Sequence, residues 1–171
     1  LSLSSSDEVL DCSAGTGLLA EEILDTFGPF ERLVLNDPAS EMLERAKYRL
    51  RYYEGIEFHQ QLSEDLSFDD ESFTQIVCLN SFHYYSDQDE VLNHFHRILK
   101  PGGNLWMVDW NRTGSFKIAN TFIDLLSPEN INSRTLSEMK LMLNDHNFDI
   151  KEEDTWGYRW WNFFFLRCER V

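Results

Sequence analysis

Short apolar runs alternate with amphipathic segments along most of the chain. The runs predict strands near 8–12, 32–36, 56–60, 74–80 and 103–109. Between several of them, near 17–27, 39–53 and 88–99, apolar residues recur at helical spacing. Leu19, Ile23 and Phe27, with Ala20 and Leu24 beside them, form the face of the first. Val91, Leu92, Phe95, Ile98 and Leu99 form that of the third, which Pro101-Gly102-Gly103 stops. Farther on, the pattern predicts a helix near 116–126, a break at Ser127-Pro128, a helix from about Thr135 to Asn147, and strands near 149–156 and 161–169. Such alternation implies parallel strands joined by crossover helices. There is no internal repeat, low-complexity tract or linker, and the start from Ser2 to Ser6 is merely polar, so residues 1–171 are read as one α/β domain.

The most informative junction is Val9-Leu-Asp-Cys-Ser-Ala-Gly-Thr-Gly17, where an apolar strand ends in Asp11 and enters a tight turn before the first helix. A strand–glycine turn–helix unit brings backbone N–H groups and a helix N-terminus to the carboxyl end of a parallel sheet, a place for the polar head of a nucleotide-like ligand. Two cofactor classes use it. Gly15-Thr-Gly17-Leu-Leu-Ala20 satisfies the dinucleotide pattern, and Asp37 lies about twenty residues on. Asp11 points the other way, because a carboxylate at the strand's end repels pyrophosphate and can hold an ammonium group. S-adenosylmethionine carries an ammonium group, a carboxylate and a sulfonium, and no phosphate.

Beyond this junction, the order of motifs resembles the seven-stranded, class I S-adenosylmethionine-dependent methyltransferases. Asp-Cys-Ser-Ala-Gly-Thr-Gly is similar to the family's first motif. Leu33-Val-Leu-Asn-Asp37-Pro-Ala-Ser-Glu-Met42-Leu resembles its second strand, ribose-binding acid and following helix. The segment Glu64 to Val77 resembles its loop and fourth strand, Ile98-Leu-Lys-Pro-Gly-Gly103 the turn before the fifth, and Asn162-Phe-Phe-Phe-Leu166 the last. Five motifs in order cover nearly the whole chain, and they most resemble the small-molecule branch that includes ubiquinone/menaquinone-biosynthesis-type enzymes.

The resemblance implies a doubly wound, Rossmann-like, mostly parallel sheet with an antiparallel last strand beside the fifth. It also implies S-adenosylmethionine as cofactor. Asp11 is expected to meet the methionine ammonium, directly or through water, while Gly15 and Gly17 let the backbone approach the amino-acid part. Asp37 is expected to accept both ribose hydroxyls, with Asn36, Pro38 and Met42 around it. Ser13 replaces the family's first glycine. Leu62 stands where many members carry an adenine-binding Asp, which leaves base recognition to backbone and Ser63, and Thr74 replaces a common acid. Asn80 completes the expected cofactor set. Family members usually have one or two helices before the first strand that cover the cofactor. A start at Leu1 is therefore expected to reflect missing N-terminal helices.

Charge narrows the acceptor. Fifteen basic residues against thirty acidic give a formal charge of −15. Affinity for a polyanion comes largely from Lys and Arg on phosphates, so no nucleic-acid partner is expected. The Asn-Pro-Pro-aromatic signature of many nucleic-acid enzymes is also absent from Asn80-Ser-Phe-His-Tyr-Tyr85. No apolar run approaches the ~20 residues that span a bilayer. No membrane association is expected, and a cytoplasmic location is. Cys12, Cys78 and Cys168 are odd in number and lack a Cys-x-x-Cys, which argues against a disulfide framework or zinc site, and no metal is expected. Oligomeric state is left open.

Methyl transfer needs orientation, desolvation and sometimes a base. The segment from Asn80 to Tyr85 is expected to pass under the donor methyl. His83, its only imidazole, is the candidate general base, with packing as the first competing reading. Tyr84, Trp110 and Arg112 are the candidate substrate contacts. Arg112 and Arg159 otherwise read as surface cations paired with acids, and Trp156, Trp160 and Trp161 as hairpin aromatics that bridge strands. The leading reading is methyl transfer to a small molecule. Two rivals stay open: a non-catalytic cofactor-binding or interaction module on the same scaffold, and a nicotinamide-dependent oxidoreductase.

Overall fold

The computed structural model describes residues 2–113 and 131–171. The expected helix near 116–126 and the break at Ser127-Pro128 lie outside the described residues. Within them the order is β1 (Glu8–Asp11), α1 (Leu18–Phe27), β2 (Arg32–Asn36), α2 (Ser40–Arg49), β3 (Ile56–His59), β4 (Phe73–Leu79), α3 (Gln88–Ile98) and β5 (Leu99–Trp110). Then follow α4 (Leu136–Asp145), β6 (Phe148–Tyr158) and β7 (Trp161–Arg170). The strands form one seven-stranded sheet in the order β3-β2-β1-β4-β5-β7-β6. β1 to β5 run parallel, and β7 lies antiparallel between β5 and β6, as the motif order implied.

The strand pattern follows from burial on both faces. Val9, Val77 and Trp106 pack with Ala20 and Ile23 of α1, Ala46 of α2 and Leu50 just beyond it. Leu10, Ile76 and Met107 pack on the opposite face with Val91 and Phe95 of α3 and Met139 and Leu143 of α4. Near-continuous apolar runs are what a sheet covered on both sides requires. Cys12, Cys78 and Cys168 are buried free thiols within this core.

Helix ends obey local chemistry. Asp87 caps α3 by accepting from the Glu90 N–H, and Thr135 with Glu138 forms a reciprocal capping box at the start of α4. α3 stops at Ile98, where the chain turns extended ahead of Pro101. The second predicted helix, 39–53, ends earlier, at Arg49. Leu50 leaves helical geometry there, and its carbonyl accepts from the Tyr53 N–H in a turn. The edge strand β6 is exposed over most of its length, and Lys151, Glu152, Glu153 and Asp154 give it the charge that discourages edge-to-edge pairing. No helix among the described residues is long and apolar enough to cross a membrane.

Candidate functional site

In the strand order the chain reverses direction of travel at β1, between β2 on one side and β4 on the other, and ligands of open α/β sheets bind at that switch point. A cleft of about 680 Å³ opens there. Its walls are the glycine turn (Ser13, Gly15), the end of β2 (Asp37, Pro38), Met42 of α2, the loop after β3 (Leu62, Ser63, Glu64) and the segment after β4. That last wall comprises Leu79, Asn80, Ser81 and Tyr84 to Ser86. A volume of several hundred cubic ångströms suits a cofactor-sized molecule.

The turn is built by backbone constraints. Gly15 and Gly17 adopt φ of 53° and 75°, a left-handed region costly for other residues. A Cβ at Gly15 would meet nothing within 4 Å, which leaves open space beside the backbone, whereas one at Gly17 would press on Ala46 and Leu50. Gly15 thus leaves open space beside the turn, and Gly17 serves the packing of α1 on α2. Asp37 holds the turn from β2: one carboxylate oxygen accepts the Gly15 N–H at 2.8 Å and the other the Ala39 N–H at 2.9 Å. A carboxylate has about four lone-pair sites, so Asp37 retains capacity for two hydroxyl donors.

Asp11 lies beneath the turn, 2% exposed. It accepts from the Ser13 N–H, yet Oδ2 is sealed from water without a partner. Burial pushes its pKa up to about 7; the Ser13 N–H opposes this, and the negative charge of Asp37 adds to it. Asp11 thus stands behind the glycine turn and is not among the residues that line the cleft. The Asp37 carboxylate and the open face of Gly15, both on the cleft, with the buried acid Asp11 behind them, fit the hydroxyls and the amino-acid part of S-adenosylmethionine.

Asn36 is fully buried behind the cleft rather than on it. Its amide donates to the Cys12 and Gln61 carbonyls and accepts from the Gln61 N–H, joining the glycine turn to the loop after β3. Leu62 presents an exposed apolar side chain to the cleft, and the Ser63 hydroxyl donates to the Cys12 carbonyl. Asn80 takes a left-handed φ of 51° at the cleft lip, with its N–H given to the Val108 carbonyl.

Three sets of contacts lie beyond what the sequence reading named. The buried Tyr85 hydroxyl lies 2.6 Å from Ser13 Oγ and 3.2 Å from Ser81 Oγ, tying the glycine turn to the wall after β4. Glu64 accepts from both the N–H and the hydroxyl of Ser86, bridging the two lips. Asp109, buried near the end of β5, holds His83: its Oδ1 lies 2.5 Å from Nδ1, and its Oδ2 accepts the His83 N–H at 3.1 Å. Only Asp109 had a local signal, the one that marks Asp11: an acid at the carboxyl end of an apolar strand.

Of the expected substrate contacts, Tyr84 lines the cleft. Trp110 does not; its ring stacks on His83 at 3.8 Å and 18°. Arg112 makes a two-pronged contact with Glu138 at 2.9 and 3.0 Å, and it too stands off the cleft. His83 is 1% exposed, Nε2 has no partner, and the space beside its ring admits no water-sized molecule. Among the described residues no group of His, Cys, Asp and Glu could hold a metal ion.

Comparison with known proteins gives a consistent family. The family described as "Methyltransferase domain" matches residues 9–103, more than half of the chain. The chain is 33% identical over 107 residues to the ubiquinone/menaquinone biosynthesis C-methyltransferase UbiE of Hahella chejuensis, covering 61% of this chain and 43% of that protein. It is 27% identical over 156 residues to the uncharacterized methyltransferase YcgJ of Bacillus subtilis, covering 87% and 60%. The chain therefore spans about half the length of these curated relatives. The crystal structure of YcgJ superposes with a TM-score of 0.85 over 98% of this chain and 93% of that one, at 18% identity, a likeness of fold.

Asp11 has a measurable signature without any ligand. Its pKa in the fold, about 7, exceeds the ordinary value of 3.8, so its contribution to stability is full below pH 3.8 and lost as pH rises through 7. In urea titrations of the cofactor-free protein, Asp11→Asn should abolish a pH-dependent loss of up to about 4 kcal/mol between roughly pH 4 and 8. Parallel pH profiles for the two proteins would remove the burial argument.

Proposed function

The chain belongs to the class I S-adenosylmethionine-dependent methyltransferase family, and from that premise we propose that it methylates a small-molecule acceptor. The observation that carries the proposal is the cleft at the switch point, with the turn-gripping carboxylate of Asp37 on its wall and the buried Asp11 behind the glycine turn. When bound, S-adenosylmethionine supplies a methyl group activated by its sulfonium. Asp37 would accept ribose hydroxyls, Asp11 would neutralise the ammonium, and Gly15 would allow backbone contact. Leu62, Met42 and Pro38 provide the apolar surface beside them. A small acceptor is supported by the −15 charge, which disfavours a polyanion, and by the name of the UbiE relative, a C-methyltransferase of ubiquinone/menaquinone biosynthesis.

We assign His83 to holding the segment after β4 in place rather than to proton transfer. Its Nδ1 is held by Asp109, its ring by Trp110, and its carbonyl accepts from the Asn132 N–H at 2.7 Å. These contacts fix the segment after β4, on which the exposed Tyr84 stands.

Calorimetry tests the donor site. Asp37→Ala should weaken S-adenosylhomocysteine binding by about 2 kcal/mol, because charge-assisted hydrogen bonds are lost. Unchanged affinity in a folded variant would take Asp37 out of the site.

A separate experiment addresses His83. His83→Ala should destabilise the fold by about 2 kcal/mol, through lost packing and an unpaired Asp109, while turnover per folded molecule stays within about threefold. A folded variant slowed roughly 100-fold or more, with cofactor affinity intact, would make His83 a general base.

A further inference from the structure

The cleft wall changes character beyond Asp37. β2 and β3 run parallel with Asn36 opposite His59, so the segments that follow them leave the sheet side by side. The Asp37 N–H is given to the His59 carbonyl, and Asn36 holds Gln61 through two hydrogen bonds. Pro38, Ala39 and Met42 from the first segment and Leu62 from the second give this part of the wall an apolar surface. Leu62 is 59% exposed, an apolar side chain left open on the cleft.

Polar atoms nearby are turned to other partners. The Ser63 hydroxyl, expected from the sequence to share in base recognition, is 2% exposed and donates to the Cys12 carbonyl. Glu64 commits Oε1 to the N–H and hydroxyl of Ser86. The carbonyls of Pro38, Gln61 and Leu62 accept from the Gln60 amide, the Asn36 amide and the Asp65 N–H. A flat heterocycle can rest its faces on such a wall, but selectivity for a group on its edge needs a polar partner placed for that group. A site built to pair with an amine rejects the analogue lacking it, because its own acceptor is then left unpaired; an apolar side chain carries no such penalty.

We propose that Leu62 makes the donor cleft indifferent to the exocyclic amine of the adenine base. Residue 62 is thereby a specificity-determining position, and the cleft grips the donor by its ribose and amino-acid part. The proposal rests on the methyltransferase reading and the ribose at Asp37, and it deepens that reading by stating what the site does not select.

Calorimetry without turnover tests this. The probes are S-adenosylhomocysteine and its 6-deamino analogue, which carries purine in place of adenine and keeps every ring nitrogen. The wild-type chain should bind the two within about threefold of each other. Leu62→Asp, made at an exposed position, supplies a charged acceptor and should prefer S-adenosylhomocysteine by about tenfold or more. A wild-type preference of about tenfold or more overturns the proposal, and its loss in Glu64→Gln would name Glu64 as the reader of the amine. A folded Leu62→Asp protein that gains no preference also overturns it, since residue 62 then does not face the amine. Both of those results leave the donor site standing. A folded wild-type chain that binds neither probe removes the methyltransferase reading, and the proposal with it.

Discussion

β1 delivers Asp11 into a place where water does not reach Oδ2 and no donor meets it. The strand is apolar on both sides, so the carboxylate cannot turn outward without dragging Val9 and Leu10 from the core. The rest of the cleft is arranged around that constraint. The turn above Asp11 is held open by Gly15, clamped by Asp37 and stapled by Asn36 to the loop after β3. Ionising Asp11 costs stability, and a ligand cation at the turn would recover it. Such a site is unfavourable for folding alone, which is the usual mark of a functional position.

Two layers of side chains then fix how wide the cleft is. Behind the donor end, Asn36 and Ser63 act on the Cys12 carbonyl; across it, Tyr85 joins Ser13 to Ser81, and Glu64 joins Ser86. On the β5 side, Asp109 grips His83 through both its ring and its backbone. The donor end proposed above is thus drawn from β1, β2 and the loop after β3, while the segment after β4 is fixed from β5. The family match, residues 9–103, covers the first group and stops before the end of β5. Similarity to known methyltransferases therefore speaks to the donor more than to the acceptor.

Periodicity made the sheet and helices legible, since both faces of the strands and one face of each helix must be apolar. The donor residues were legible for a different reason: Asp11, Asp37 and Gly15 sit at strand ends and a turn, where position in sequence dictates position in the cleft. The pairings were not. Tyr85 meets Ser13 across 72 residues, Asp109 meets His83 across 26, and Arg112 finds Glu138 only because α4 begins beside the end of β5. Local pattern carries no trace of such contacts, which is why neither the acid that pairs with Arg112 nor the one that holds His83 can be named until the fold is seen. The helix end at Arg49 was missed because Tyr52 and Tyr53 continue a tolerable helical pattern, and only the turn at Leu50 breaks it.

The central claim is that the cofactor's ammonium takes the place of the proton on buried Asp11. Calorimetry of S-adenosylhomocysteine binding in buffers of differing ionisation enthalpy measures this directly. With Asp11 held near pH 7, binding at about pH 6 should release close to one proton per ligand, and the release should vanish above about pH 8. Tight binding at about pH 6 with no proton released, or release unchanged in Asp11→Asn, would contradict the account.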